Sequence, residues 1–195
     1  MAARGQYAKG VAKREEILTT ALDVIARNGY RRTSVRELAD AVGLSQAGLL
    51  HYFSSKEELF QEILRKRDEA DGERFQLEGR NPLDVFIEVI EHNAEVPGLV
   101  QLYAQLSTEA GDPEHPARDY FIERFNGFRE MVVPLIRDEQ AAGRLRDDID
   151  AETMTNLLLA ASDGLQTQWM LDPSIDMAAS LAALLHSFGH VKAGD

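Results

Sequence analysis

Apolar residues recur at helical spacing almost from end to end of this chain, and no stretch alternates every second residue as a half-buried strand does, so the fold is expected to be all-α. In KREEILTTALDVIARNGY, residues 13–30, Ile17, Leu18, Ala21, Leu22 and Ile25 share one helix face, and Asn28-Gly29 supplies a left-handed stop. Ser34 with Glu37 three residues on makes a capping-box pattern. It opens a second helix that buries Leu38, Ala39 and Val42. Gly43 then turns the chain, and Ser45 caps a third helix running from Gln46 to Tyr52. A fourth starts at Lys56 and continues into the charged RKRDEADGERFQ, a solvated rod.

Further along, Asn81-Pro82, Pro97-Gly98, Asp112-Pro113, Gly143 and Asp172-Pro173 pair helix stops with helix starts. They cut the remainder into helical segments over residues 82–95, 98–110, 114–142, 150–171 and 174–190, with Pro134 expected to kink the third. The first ten residues, rich in Ala and Gly, are expected to be disordered until they meet a partner.

Charge divides the chain unevenly. The formal net charge is −12, yet residues 1–56 carry nine Lys/Arg against five acids, which leaves 12 basic and 28 acidic residues in the rest. A basic end on an acidic body confines any polyanion contact to that end. The chain has no cysteine, which excludes disulfides, thiolate zinc sites and a cysteine nucleophile. No apolar run reaches the roughly 20 residues of a membrane span, and the N-terminus lacks the apolar core of a secretion signal, so a cytoplasmic protein without membrane partner is expected.

Two short helices joined by a glycine turn are the pattern of a helix-turn-helix, in which the second helix enters the DNA major groove. A helical hairpin inside an ordinary bundle shows the same pattern. What favours a reading helix is its content. Gly48 inside it costs about 1 kcal/mol relative to Ala, and Ser45, Gln46, Ala47, His51 and Tyr52 are side chains suited to base edges, thymine methyls and phosphate oxygens.

TSVRELADAVGLSQAGLLHYFSSKEELF, preceded by a helix ending RNGY, resembles the DNA-binding region of the TetR family of one-component transcriptional regulators. The likeness covers about the first 65 residues, and DGLQTQWMLDP is similar to the penultimate helix of many members. The resemblance implies an N-terminal three-helix DNA-binding domain, residues 1–56, and a C-terminal helical ligand-binding and dimerisation domain, residues 57–195. It also implies a homodimer on a double-stranded DNA operator, released by a small-molecule effector. Carried over by position, it puts Thr33 or Ser34 and Arg36 near phosphate, Ser45, Gln46, Ala47 and Gly48 at the front of the reading helix, and His51 and Tyr52 on its backbone-facing end. Lys56 heads the fourth helix, where the positive helix terminus assists a grip on phosphate. Leu49 and Phe53 become core. Leu50 departs from the family pattern, which has tyrosine there: either a phosphate contact is gone or the leucine meets thymine methyls. Arg4, Lys9, Lys13 and Arg14 form an N-terminal arm that either adds sequence-blind DNA contacts or is inert.

Motifs of catalysis are absent: there is no GxxxxGK, GxGxxG, HExxH or GxSxG, so neither an enzyme nor a cofactor is expected. His186 and His190 stand four apart but lack a third ligand, so no metal site is expected. The body combines polar groups with aromatics, as an apolar effector cavity would, and Tyr103, Phe125, Gln166 and Trp169 are the candidate ligand-binding residues. The last two segments are apolar on most sides, which predicts a two-fold four-helix contact with a second copy through Leu158, Leu165, Leu181, Leu184, Leu185 and Phe188. The alternative function is a helical small-molecule-binding or scaffold dimer whose helix-turn-helix no longer works, with Leu50 its main support.

Overall fold

The computed structural model describes residues 2–75 and 78–189, with side chains from Lys9 onward. Among these residues there are nine α-helices and no strand. They are α1 (Ala2–Asn28), α2 (Val35–Ala41), α3 (Gln46–Leu50), α4 (Lys56–Phe75), α5 (Pro82–Asn93), α6 (Pro97–Glu109), α7 (Arg118–Ala141), α8 (Ala151–Trp169) and α9 (Met177–Ser187). A 3₁₀ turn, Tyr30–Arg32, follows α1. One isolated bridge joins Leu145 and Gly189. The all-α expectation holds.

The contacts gather the chain into two compact units. Unit 1 comprises residues 1–74 and 95–118, and unit 2 comprises 75–94 and 119–195. The division expected after residue 56 is one of function, a reader against a sensor; the packing divides along another line, because α6 lies against α1 and the 3₁₀ turn.

Unit 1 is built on α1. Ile17, Leu18, Ala21 and Ile25, predicted as its buried face, are 0–3% exposed. Leu38 and Ala39 of α2, Leu49 of α3 and Leu59, Phe60 and Ile63 of α4 are buried with them. Each such side chain is worth about 1.5–3 kcal/mol of transfer free energy. The ring of Tyr30 meets Phe60 edge-on at 5.2 Å, and its burial raises the phenol pKa, with Glu109 and Glu57 adding to the rise. Gly29 (φ 82°) closes α1 by donating its N–H to the Ile25 carbonyl at 2.9 Å.

The expected disorder of the first ten residues is not what the backbone shows. The helix α1 extends from Ala2, since nothing between residues 2 and 28 interrupts it: no proline occurs there, and Ala2, Ala3, Ala8 and Ala12 are strong helix formers.

Unit 2 comprises α5, α7, α8 and α9, with α9 packed on both α5 and α8. Leu83, Ile90, Phe121, Val132, Ile136, Met154, Leu158 and Leu181 are among its buried residues. The side chains of Asn81, Asp150 and Asp176 cap α5, α8 and α9 by accepting from the N–H groups of Leu83, Thr153 and Ala179. The amide of Gln140 donates to the Arg146 and Ile149 carbonyls at 2.8 and 2.7 Å and so ties the α7–α8 connection to α7. Helix α7 runs across the exposed Pro134.

Candidate nucleic-acid interface

Helix α2 begins with a complete capping box. Ser34 Oγ accepts from Glu37 N at 3.2 Å, and the Glu37 carboxylate accepts from Ser34 N at 2.6 Å. Those hydrogen bonds stabilise the charged form of Glu37, and its pKa lies below the ordinary glutamate value. The chain leaves α2 through Gly43 at φ 69°, a left-handed conformation that costs glycine nothing. Gly43 N donates to the Asp40 carbonyl and Leu44 N to that of Ala39, which closes the helix end. Ser45 then starts α3, its hydroxyl accepting from Gly48 N at 3.0 Å.

The helix so placed is five residues long, shorter than the Gln46–Tyr52 expected, because His51 caps it and the chain turns toward α4. Leu49 is fully buried and Phe53 nearly so, as predicted, and they anchor one side. On the other side Ser45, Gln46, Ala47 and His51 are exposed, while Gly48, Leu50 and Tyr52 are partly covered. The His51 and Tyr52 rings stand edge-to-face at 6.0 Å. A β-carbon on Gly48 would lie 3.2 Å from Ser45 Oγ, so the glycine also leaves room for the capping hydroxyl.

At the flanks, Arg36 is exposed on α2 and 4.0 Å from Asp40 on the same helix, a contact worth little in water. Lys56 is exposed at the start of α4, its ammonium 5.5 Å from the centre of the Phe60 ring. Ser55 caps that helix by accepting from Glu58 N. Thr33 is placed differently from its neighbours. It is buried, and its hydroxyl donates to the Gly29 carbonyl at 2.9 Å, joining the end of α1 to the start of α2. Of the two residues paired at this position, Ser34 is the one at the surface.

Of the N-terminal cations, Lys9 is exposed, whereas Lys13 and Arg14 are engaged within unit 1. The side chain of Arg4 lies outside the described residues, as does His190. Among the described residues no group of three or more His, Asp or Glu side chains is placed to hold a metal ion. No helix among them is long and apolar enough to cross a membrane.

The candidate effector residues do not share one unit. Tyr103 is buried on α6 in unit 1; Phe125, Gln166 and Trp169 belong to unit 2. There the buried Gln166 accepts a long 3.4 Å hydrogen bond from the buried Asn93 of α5, a partner the sequence gave no sign of, 73 positions away. Phe125 is partly covered, its ring 6.3 Å from that of Phe121.

The residues predicted for self-association need correction. Leu158, Leu181 and Phe188 are 1–3% exposed within a single chain and belong to its own core. Leu165, Leu184 and Leu185 are partly covered. The open apolar surface of α8 and its C-terminal turn is instead carried by Leu157 and Leu171, 43% and 85% exposed, with Ala160 beside them.

A capped short helix with one side buried and the other presenting polar and small groups, flanked by exposed cations, defines a DNA-binding protein of the helix-turn-helix class. Residues 17–63 match the family model for bacterial regulatory proteins of the tetR family, and residues 110–190 match that of the BetI-type transcriptional repressor C-terminal region. The chain is 30% identical over 151 residues to the HTH-type transcriptional repressor KstR2 of Mycobacterium tuberculosis H37Rv, covering 72% of this chain and 73% of that one. It is 28% identical to the HTH-type transcriptional repressor AcnR of Corynebacterium diphtheriae, over 78% of each chain. A Saccharomonospora viridis protein described as a transcriptional regulator, solved in complex with choline, superposes with a TM-score of 0.70 at 26% identity, covering 91% of this chain and 97% of that one. The chain belongs to the TetR family of transcriptional regulators. It is a ligand-responsive, DNA-binding transcriptional repressor, and the family to which it belongs is one of regulators and not of enzymes.

Proposed function

We propose that two copies of this chain present their α3 helices to successive major-groove faces of a palindromic operator, about one DNA turn or roughly 34 Å apart. Gln46, Ala47 and His51 read base edges, and Ser34, Arg36, Ser45, Tyr52 and Lys56 hold phosphates. Gly48 lets the helix backbone approach the groove. Thr33 supports this surface from beneath through its bond to Gly29. The observation that carries the reading is the two-sidedness of α3: Leu49 is fully buried while Gln46, Ala47 and His51 are exposed. The partly covered Leu50 leaves an apolar edge next to them, suited to a thymine methyl.

The second copy is held through α8 and α9. Leu157 and Leu171 supply exposed apolar surface that a two-fold partner would cover, and Leu165, Leu184 and Leu185 lie on the same pair of helices. The effector is a small molecule taken up in unit 2, where Asn93 and Gln166 offer orienting amides and Phe125 and Trp169 apolar surface. Its binding favours a spacing of the two reading helices that no longer fits the operator. A tenfold loss of DNA affinity needs only about 1.4 kcal/mol of coupling.

The test is a footprint of the purified protein on DNA flanking its own gene, with and without candidate effectors. Choline is the first compound to try, because the Saccharomonospora viridis protein was solved with it. A protected palindrome at low salt is expected. Its absence at every salt concentration leaves the rival reading, a small-molecule-binding dimer with an idle helix-turn-helix.

A further inference from the structure

Lys13 and Arg14 are consecutive on α1, and each reaches one end of α3. The Lys13 ammonium donates to the main-chain carbonyl of Val42 at 3.2 Å and to Glu16 at 2.7 Å. Val42 caps the C-terminus of α2, directly before the Gly43 turn that leads into α3. A cation there meets the negative end of the α2 dipole as well as an otherwise orphan carbonyl. Arg14 works at the other end. Its guanidinium donates to Glu62 at 2.8 Å, stands 3.6 Å from Glu58, and lies over the Phe53 ring at 4.9 Å from its centre. Phe53 belongs to the segment leaving α3, and Glu58 in turn accepts from Ser54 N in that segment. Hydrogen bonding from Ser54, with Arg14 assisting, holds the Glu58 pKa low, so the carboxylate stays charged.

Helix α3 has little means of fixing itself. Five residues fall far short of the length at which a helix is stable alone, and Gly48 weakens it further. Its own anchors are one buried residue, Leu49, and the Ser45 cap. Base-edge recognition nevertheless demands a set orientation, because hydrogen bonds fall off steeply with distance and angle. The turn entering α3 and the segment leaving it are both held from α1, by neighbouring residues of one long helix.

We propose that Lys13 and Arg14 are positioning residues for operator recognition: a two-point clamp from α1 that sets the pose of α3, and not the phosphate contacts of an N-terminal arm. This rests on α3 being the operator-reading helix. The two roles differ in a measurable way. A phosphate contact adds equally to operator and unrelated DNA and steepens the salt dependence; a positioning residue adds to the operator alone.

The variants are Lys13→Met and Arg14→Met, which keep an apolar stem, and the conservative Lys13→Arg and Arg14→Lys. Two readouts are taken on the full chain. In the free protein, amide hydrogen exchange is followed at Leu49, His51 and Tyr52, whose N–H groups bond to the Ser45, Ala47 and Leu49 carbonyls, with amides in the centre of α1 as the control. In the complex, affinity for the operator and for a scrambled duplex is measured across salt. Each Met variant is expected to speed exchange in α3 roughly tenfold and to weaken operator binding roughly tenfold, the scale of one charged hydrogen bond. Affinity for scrambled DNA and the salt slope should stay as in the wild type. Lys13→Arg should restore both readouts, and Arg14→Lys, which keeps the charge but loses the planar contact with Phe53, should fall between.

Equal losses on both duplexes with a slope shallower by about 0.9 would mean phosphate contacts and overturn the clamp. So would unchanged α3 exchange, or faster exchange with operator binding intact. Should a Met variant unfold, the conservative pair decides: full operator affinity in Arg14→Lys despite the lost stacking counts against the clamp. If the wild type itself fails to prefer any operator, the reading of α3 fails, while the exchange measurement still decides whether α1 holds it.

Discussion

Gly98 at the start of α6 crosses Ile25 near the end of α1 so closely that a β-carbon on the glycine would stand 2.1 Å from the Ile25 carbonyl oxygen and 2.8 Å from Gly29 Cα. Both neighbours are backbone, so no side chain can yield to make room. The junction of α1 and α6 therefore depends on a residue without a side chain. Gly98→Ala is expected to destabilise the protein by about 1–3 kcal/mol, the range for overpacking a close contact, despite the better helix propensity of alanine. A lower denaturant midpoint at an unchanged m-value would bear this out; a rise in the midpoint would refute it.

The capping box of α2 predicts two separate effects. Ser34→Ala removes the acceptor for Glu37 N and should cost about 1 kcal/mol, within the range for lost N-caps. Glu37 adds a pH dependence. Its folded pKa is depressed, so its contribution is complete above the ordinary glutamate value of 4.5 and disappears as pH falls through the lower folded value. Glu37→Gln should accordingly flatten the loss of stability in that acid window while leaving the neutral region nearly parallel to wild type. An acid limb identical in the two proteins would contradict the assignment.

Lys56, exposed at the head of α4, is expected to neutralise one phosphate on each half-site. In Lys56→Ala the plot of log affinity against log salt should be shallower by about one unit per neutralised phosphate, with operator and scrambled DNA weakened alike. Loss of operator affinity alone would assign Lys56 to specificity instead.

Self-association through α8 can be probed without touching the core. Leu157→Glu places a charge on an exposed apolar position and should leave the helix content unchanged while shifting sedimentation from dimer toward monomer. Operator affinity should drop with it, since one reading head per particle forfeits half of the contacts. A dimer as tight as wild type would move the interface elsewhere.

The helix-turn-helix was legible because its signals are local. Ser34 with Glu37, Gly43 and Ser45 lie within a dozen residues, and each performs the capping or turning its chemistry predicts. Helices α5 to α9 were placed by Asn81, Pro97, Asp150 and similar punctuation, with errors where side chains use the first residues of a segment for a turn. Thus α9 starts at Met177 and not at 174, because Asp172 accepts from both the N–H and the hydroxyl of Ser174 and Asp176 takes the cap. Where periodicity alone was the guide, the phase slipped by one position: Leu158 is core and Leu157 is surface, since a helix apolar on most sides does not say which of two adjacent leucines its neighbours cover.

By itself the sequence determined an all-helical chain, the place of its reading helix and the residues that cap and turn it, since hydrophobic period, capping chemistry and the backbone freedom of glycine act over a few residues. The tertiary structure alone decided that Lys13 meets Val42 across 29 positions, Arg14 meets Glu62 across 48 and Asn93 meets Gln166 across 73. Those pairings follow from how whole helices pack, a free energy summed over many side chains at once, and no short stretch of residues carries it.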